Sequence, residues 1–408
     1  MTHLRPFEWN SQSYYYSADH HRIFSSPKGL PHPGDQPDAP PQSVSIYNLY
    51  LNLSEGCNLR CEYCFTPAGS PGAAANMPRE VAQTSIVRLA RWWHEHPSTR
   101  VANITFFGGE PLLNREVLRH TVYFADEWSR AYGVPFSYSI STNGTLVTDD
   151  DLKFFRDNRI FVWFSIDGPP EIHDRHRPFR KGGQSSHDLA IRNAAAALRT
   201  MPEYRVGVRA TLSSGYGKLS RVVDYLATQG FRIVSTSGAE PNHKDRRFLS
   251  PEDFGAFDQD LDESASILLH WRSRGLRSFP LDQDLASLEK GPAGRFICDA
   301  GRGSLTVDPN GQLYPCHRFV GDSRFMLGDV HGEFDLTLCE EFAKLEYSKI
   351  QGCRTCWARK FCLGCCAGAS IAAGLPLGHP YVQHCEARKR YALISLKCAA
   401  DLRIGIEK

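Results

Sequence analysis

The sequence predicts an α/β fold built on a parallel sheet, and three observations predict it. From about residue 45 to 238, short runs rich in β-branched and aromatic residues alternate with amphipathic helical patterns. Residues suited to chemistry fall just past the ends of those runs, where parallel sheets gather their sites. The 13 cysteines are also segregated: three lie near position 60, none from 65 to 297, and ten from Cys298 onward. Two cysteine regions thus bracket a cysteine-free body. A curled or closed barrel suits this alternation better than a sandwich.

Residues 1–44 hold YYYSADHHRIFSS and then PKGLPHPGDQPDAPPQ, whose prolines remove backbone donors, so they read as an N-terminal appendage and linker. The body, 45–245, offers strands at IYNLYLNLS (46–54), NITFFGG (103–109), FSYSIST (136–142), FVWFSID (161–167), RVGVRATLS (205–213) and FRIVSTS (231–237). Helices are expected between them: one opening at Pro78, one ending at Gly133, one capped by Thr148, and two over SHDLAIRNAAAALRT and LSRVVDYLATQG. Residues 246–295 read as a helical connection. Residues 296–408, richer in Cys and Gly and less periodic, read as a small domain organised by metal, closing in a helix.

The 47 basic and 45 acidic residues leave a net charge of +2, so no global field points to nucleic acid or a membrane surface. No apolar run reaches the roughly 20 residues that cross a bilayer, and the start MTHLRPFEWN lacks a secretion-signal layout. The expectation is a cytoplasmic protein with no nucleic-acid or membrane partner. In that reducing compartment so many cysteines point to metal rather than disulfides.

LSEGCNLRCEYCF gives Cys57-x3-Cys61-x2-Cys64. Three thiolates in one loop suit three irons of a 4Fe-4S cluster and leave the fourth iron open. A structural zinc site wants four ligands, which this triple does not supply, although buried thiols are the plain alternative. CNLRCEYCF resembles the signature of the radical S-adenosylmethionine (radical SAM) superfamily. The resemblance implies a partial (β/α)6 radical SAM barrel with S-adenosylmethionine on the open iron. It places Tyr63 at the adenine, and Gly108, Gly109 and Glu110 of FFGGEP at the methionine amino group. Ser165 of SIDG would meet the ribose, and Arg177 the methionine carboxylate, with Arg209 a second candidate. Taken singly, GGEP reads as a turn and Arg177 as a loop charge. His173 and His176 read as solvated loop residues.

The distal pattern is Cys298-x12-Gly311-x4-Cys316, then Cys353-x2-Cys356-x5-Cys362-x3-Cys366, then Cys385. It resembles the seven-cysteine SPASM domain of radical SAM peptide-modifying enzymes. By that resemblance Cys353, Cys356, Cys362 and Cys385 ligate one auxiliary 4Fe-4S cluster, and Cys298, Cys316 and Cys366 a second, making three clusters in all. Sulfatase-maturing relatives carry an extra cysteine where Ser304 stands, so the second cluster keeps an open iron unless Cys339 completes it. Cys365 competes with Cys366, and Cys398 reads as an inert core residue. Those relatives also have an aspartate base where this chain has His317, an imidazole that is either a base or packing beside the cluster.

The resemblance implies an oxidoreductase that matures a ribosomally made precursor peptide, installing a thioether or carbon-carbon cross-link, with a reducing partner such as flavodoxin or ferredoxin. A leader-binding domain larger than the 44 residues before the first barrel strand is common in such enzymes, so a reduced version or recognition elsewhere is expected. Two other readings are a radical SAM dehydrogenase acting on a protein side chain or small molecule, and a non-catalytic iron-sulfur electron carrier.

Overall fold

The computed structural model describes residues 4–26, 46–66, 75–95, 102–240, 249–291, 298–333, 335, 337–345, 350–362 and 364–407. The proline-rich linker expected after residue 26 lies outside them. The central strands are β4 (Asn48–Ser54), β5 (Ala102–Gly108), β6 (Phe136–Thr142), β7 (Phe161–Ser165), β8 (Val206–Leu212) and β9 (Ile233–Gly238), which follow β1–β3 of the N-terminal segment. They pair in parallel in sequence order. Crossover helices α1 (Arg79–Glu95), α2 (Arg115–Tyr132), α3 (Asp149–Asp157), α4 (Pro170–His176), α5 (Ser186–Thr200) and α6 (Leu219–Thr228) lie between them.

Local sequence sets these boundaries. Thr148 and Asp151 form a reciprocal capping box at the start of α3. Gly133 closes α2 in the left-handed conformation at φ 70°, where a side chain would be strained. Alternate strand residues Leu49, Leu51, Ile104, Phe106, Ile140, Val162, Phe164 and Val208 are buried against the helices, forming one continuous core.

Among the described residues the sheet does not close, since β4 and β9 are not paired. Instead β10 (Arg277–Phe279) extends the β9 edge in parallel. On the other edge β11 (Ser304–Val307) pairs in parallel with β4, followed by antiparallel β12 (Gln312–Tyr314) and β13 (Gly328–Asp329). The sheet therefore has ten strands, and the distal cysteine region is joined to the body by backbone hydrogen bonds. Helices α7 (Pro251–Gln259), α8 (Leu261–Arg272) and α9 (Leu281–Lys290) make the connection. Beyond β13 come short α10 (Thr337–Ala343), α11 (Gln351–Arg354) and α12 (Ala367–Ala372), then the long α13 (Val382–Leu402).

The N-terminal segment is more than an appendage. β1 (Leu4–Trp9), β2 (Gln12–Ser17) and β3 (Arg22–Phe24) form an antiparallel sheet that β14 (Ile406–Glu407) completes from the far end of the chain. Asn10 and Ser11 turn the hairpin with φ 49° and 59°. The sheet grips α13 through Lys397 Nζ donating to Glu8 O (2.5 Å), and grips the turn after Cys356 through an Arg359–Asp19 ion pair (2.6 Å).

Candidate active site

The loop carrying Cys57, Cys61 and Cys64 leaves the end of β4 and is fixed by the backbone of residues 176–180. Arg60 N–H donates to Pro178 O (2.9 Å), Glu62 N–H to His176 O (3.0 Å) and Arg180 N–H to Asn58 O (3.0 Å), while Arg180 Nε reaches Cys57 O (2.8 Å). Sequence reasoning missed this clamp, because nothing in RPFR marks an extended strip.

The two glycines of FFGGEP make the same loop possible. A Cβ on Gly108 would lie 2.3 Å from Asn52 Oδ1, and one on Gly109 would lie 2.2 Å from Gly56 O. Backbone approaches backbone here, so the close approach expected for a ligand is first of all the packing of β5 on the cysteine loop.

Asp167, which the sequence did not single out, is the hub of the site. Arg177 meets it twice, Nε to Oδ2 at 2.9 Å and Nη2 to Oδ1 at 3.1 Å. Tyr63 OH donates to Oδ2 (2.5 Å) and Thr211 N–H to Oδ1 (2.9 Å). Burial would raise the Asp167 carboxyl, but the Arg177 guanidinium outweighs it and holds the group below its usual range. Arg177, expected on a methionine carboxylate, is thus largely spent on Asp167. Its remaining Nη1 faces Cys61 Sγ at 3.9 Å, and the guanidinium lies over the Tyr63 ring at 5.2 Å.

Glu110 also differs from expectation. It is fully buried, and its oxygens accept from Leu112 N–H (3.1 Å), Thr142 Oγ1 (2.7 Å) and Asn143 N–H (2.8 Å). Burial raises its pKa to about 7. It braces the ends of β5 and β6 beneath the cysteine loop rather than facing the cavity. His173 and His176 are not solvated, because both lie on the inner side of α4. His173 Nδ1 accepts from Asp167 N–H (3.3 Å), and His176 Nδ1 meets Glu62 (3.2 Å).

These elements surround a cavity of about 690 Å³ lined by all three cysteines, Gly108, Gly109, Ser165, Arg177 and Arg209. His317 and Arg318 enter it from the distal region. His317 stands among the rings of Phe107 (4.8 Å), Tyr50 (4.9 Å) and Phe65 (5.3 Å). Burial first, then the cations Arg318 and Arg209, lowers its pKa to about 3, so it is neutral at physiological pH. Arg318 pairs with Glu240 (2.6 Å) and lies over Phe65 (4.3 Å).

Among the described residues no three His, Cys, Asp or Glu side chains converge tightly enough for a single metal ion. The donor set fits a larger, cationic group instead. Burial pushes the Cys57 and Cys61 thiols up to about 11 and about 12, so their thiolates need a nearby cation of the kind an iron cluster supplies.

Several distal thiols lie close enough to influence one another. Cys353 is influenced by Cys362, Cys385 and Cys356, while Cys316 feels Cys298, and Cys366 feels Cys316. Cys365 is buried and hydrogen-bonded to Cys385. Cys339 is fully buried in α10; burial and Asp335 raise its pKa to about 12, with no thiol contributing. Ser304 donates to Asp299 O (3.2 Å), and Cys398 packs in α13 against Ala265 O (3.7 Å).

Residues 51–216 match the radical SAM superfamily model. The chain is 24% identical over 355 residues to a serine-type anaerobic sulfatase-maturating enzyme of Klebsiella aerogenes, covering 82% of this chain and 83% of that one. The fold resembles anSMEcpe with bound AdoMet and Cp18Cys peptide (TM-score 0.71, 20% identity, 88% and 99% covered). It also resembles Streptococcus suis SuiB bound to precursor peptide SuiA (TM-score 0.57, 15% identity, 84% and 76% covered). With a cysteine loop at the end of the first of six parallel strands and a match that reaches the first five of them, the chain carries a radical SAM domain and is a radical SAM enzyme.

Proposed function

We propose that this enzyme is a maturase that oxidises a side chain of a peptide-like substrate. One observation carries the reading: His317 and Arg318, from the cysteine-rich distal region, line the same cavity as Cys57, Cys61 and Cys64. When bound, S-adenosylmethionine and a first 4Fe-4S cluster would supply a carbon radical able to take hydrogen from a C–H bond, and two auxiliary clusters an electron-accepting path.

The chain's own residues divide the remaining work. Cys57, Cys61 and Cys64 hold the first cluster, and the Asp167–Arg177 pair fixes the shape of their loop. Gly108, Gly109 and Ser165 border the cofactor's part of the cavity, and Tyr63 stands beside it. Phe65 and Phe107 exclude water around His317, whose neutral imidazole accepts a hydrogen bond from the substrate's thiol or hydroxyl. Cys353, Cys356, Cys362 and Cys385 hold one auxiliary cluster. Cys298, Cys316 and Cys366 would hold the other, with Cys339, which packs against Gly301, the candidate for a fourth ligand and an open iron the alternative. A one-electron donor such as flavodoxin or ferredoxin is the expected reductant.

The serine-type and cysteine-type anaerobic sulfatase-maturating relatives favour oxidation of a serine or cysteine residue. Cross-link formation, the finer expectation, draws no support from them. His317, where the resemblance places an aspartate in sulfatase-maturing enzymes, would separate this site from theirs. Mass spectrometry of a cysteine- or serine-bearing peptide treated with reduced, reconstituted enzyme distinguishes the outcomes. A hydrazide-reactive carbonyl supports simple oxidation, whereas loss of two hydrogens without one indicates a cross-link. Turnover of S-adenosylmethionine with every peptide unchanged overturns the peptide reading.

A further inference from the structure

Of the five arginines that line the cavity, Arg177 is paired with Asp167 and Arg318 with Glu240, Arg180 Nε donates to Cys57 O, and Arg60 is an exposed residue of the cysteine loop. Arg209 is different. It sits in β8 between β7 and β9, is exposed, and lines the cavity. Among the described residues no carboxylate pairs with it. The titratable groups that face it are Tyr50, on the opposite side of the cavity, and the neutral His317. The side chain is exposed to the cavity, and the protein around it lowers the Arg209 pKa through partial loss of water.

The surroundings are nevertheless built to keep it there. Its guanidinium lies over the Trp163 ring at 4.5 Å. That ring fits because residue 207, on the same face of β8, is glycine, where a Cβ would come within 2.7 Å of the indole. A glycine in a central strand weakens the sheet, so this seat has a cost of its own. In register across three strands, Ser165, Arg209 and Ser235 form one polar row, and all three line the cavity.

The row runs from Ser165, which borders the cofactor's part of the cavity, to Arg209 and Ser235. The guanidinium beside the cysteine loop is Arg177, whose Nη1 approaches Cys61. Arg209 belongs instead with Tyr50 and His317, the half of the cavity that the proposed function leaves to substrate. We propose that Arg209, flanked by the Ser235 hydroxyl, is the receptor for a carboxylate carried by the substrate peptide, holding it beside His317. This rests on the maturase reading and names its substrate class: peptides with an acidic side chain or a free C-terminal carboxylate near the oxidised residue. A guanidinium meets a carboxylate with two parallel hydrogen bonds, a match that neither amide nor hydroxyl reproduces.

The test uses reconstituted holoenzyme with S-adenosylmethionine, immobilised anaerobically. The probe is a pool of synthetic pentadecapeptides with one cysteine, differing in Asp or Glu against Asn or Gln nearby, and in a free against an amidated C-terminus. Wild type should enrich acid-bearing members by about tenfold, the scale of one charge-assisted pair. Arg209→Gln should remove the enrichment and Arg209→Lys should keep part of it. Side-chain and C-terminal sources separate by which members are retained. Equal retention of acids and amides, or enrichment unchanged in Arg209→Gln, overturns the proposal. So does a raised KM for S-adenosylmethionine in peptide-free 5′-deoxyadenosine formation by Arg209→Gln, which would assign the arginine to the cofactor. Failure of wild type to form 5′-deoxyadenosine would sink the radical reading instead, while the peptide enrichment is read independently.

Discussion

The two cysteine regions serve one cavity but are held in opposite ways. The first, Cys57 to Cys64, lies on a continuous core and is bound by backbone hydrogen bonds to residues 176–180 and by the buried Asp167 hub. The second has short helices and a small core of its own around Tyr314, Phe319, Phe325 and Phe342. Its seven expected ligands are spread from Cys298 to Cys385. The first is shaped by the body's core before any cluster binds, whereas the second, outside its pairing with β4, its small core and α13, consists of short helices that its ligands would draw together.

Removing iron should therefore give the largest contrast. On anaerobic chelation, limited proteolysis should cut within residues 298–385 while the body stays resistant, as read by mass spectrometry of the fragments; uniform cutting would erase the distinction. Next is Arg177→Gln. Breaking this buried pair leaves Asp167 uncompensated and should cost about 3–5 kcal/mol in denaturant unfolding of the metal-free body. Adding Asp167→Asn should recover part of that loss, because no uncompensated charge then remains buried.

The third contrast is a pH dependence. The folded pKa of Glu110, about 7, is raised by burial above its ordinary value of 4.5. Its contribution to stability is then complete below about 4.5 and is lost as pH rises through about 7, a change of roughly 3 kcal/mol. Glu110→Gln should flatten this slope in urea titrations across that range, and an unchanged slope would mean another group is responsible. The smallest effect belongs to Gly109→Ala, which forces a Cβ against Gly56 O and should cost about 1–3 kcal/mol in the same assay.

How much of this was legible follows the same division. The six central strands read clearly because each is a short β-rich run between helices with local start and stop signals such as Thr148 and Gly133. The N-terminal sheet did not, because β14 closes it from nearly 400 residues away and no local pattern records such a pairing. Likewise β11 joins β4 across the chain, which blurs the boundary expected near residue 296.

Within the site, the cysteines were legible because ligand spacing is a local property. Which carboxylate meets which arginine is not. Asp167 and Arg177 are separated by α4, so their pairing depends on the fold, and Glu110 looked like a ligand residue until its three donors were seen. His173 and His176 looked solvated because Pro169, Pro170 and the charges around them hid a short helix whose inner side is buried.

The most direct test is release of 5′-deoxyadenosine from S-adenosylmethionine by the reduced, reconstituted protein, compared with Cys57→Ala. Wild type should release it, and Cys57→Ala should not, while its distal clusters remain visible by Mössbauer spectroscopy. Release by Cys57→Ala at the wild-type rate, or none from wild type with every cluster loaded, would contradict a radical centre in the loop after β4.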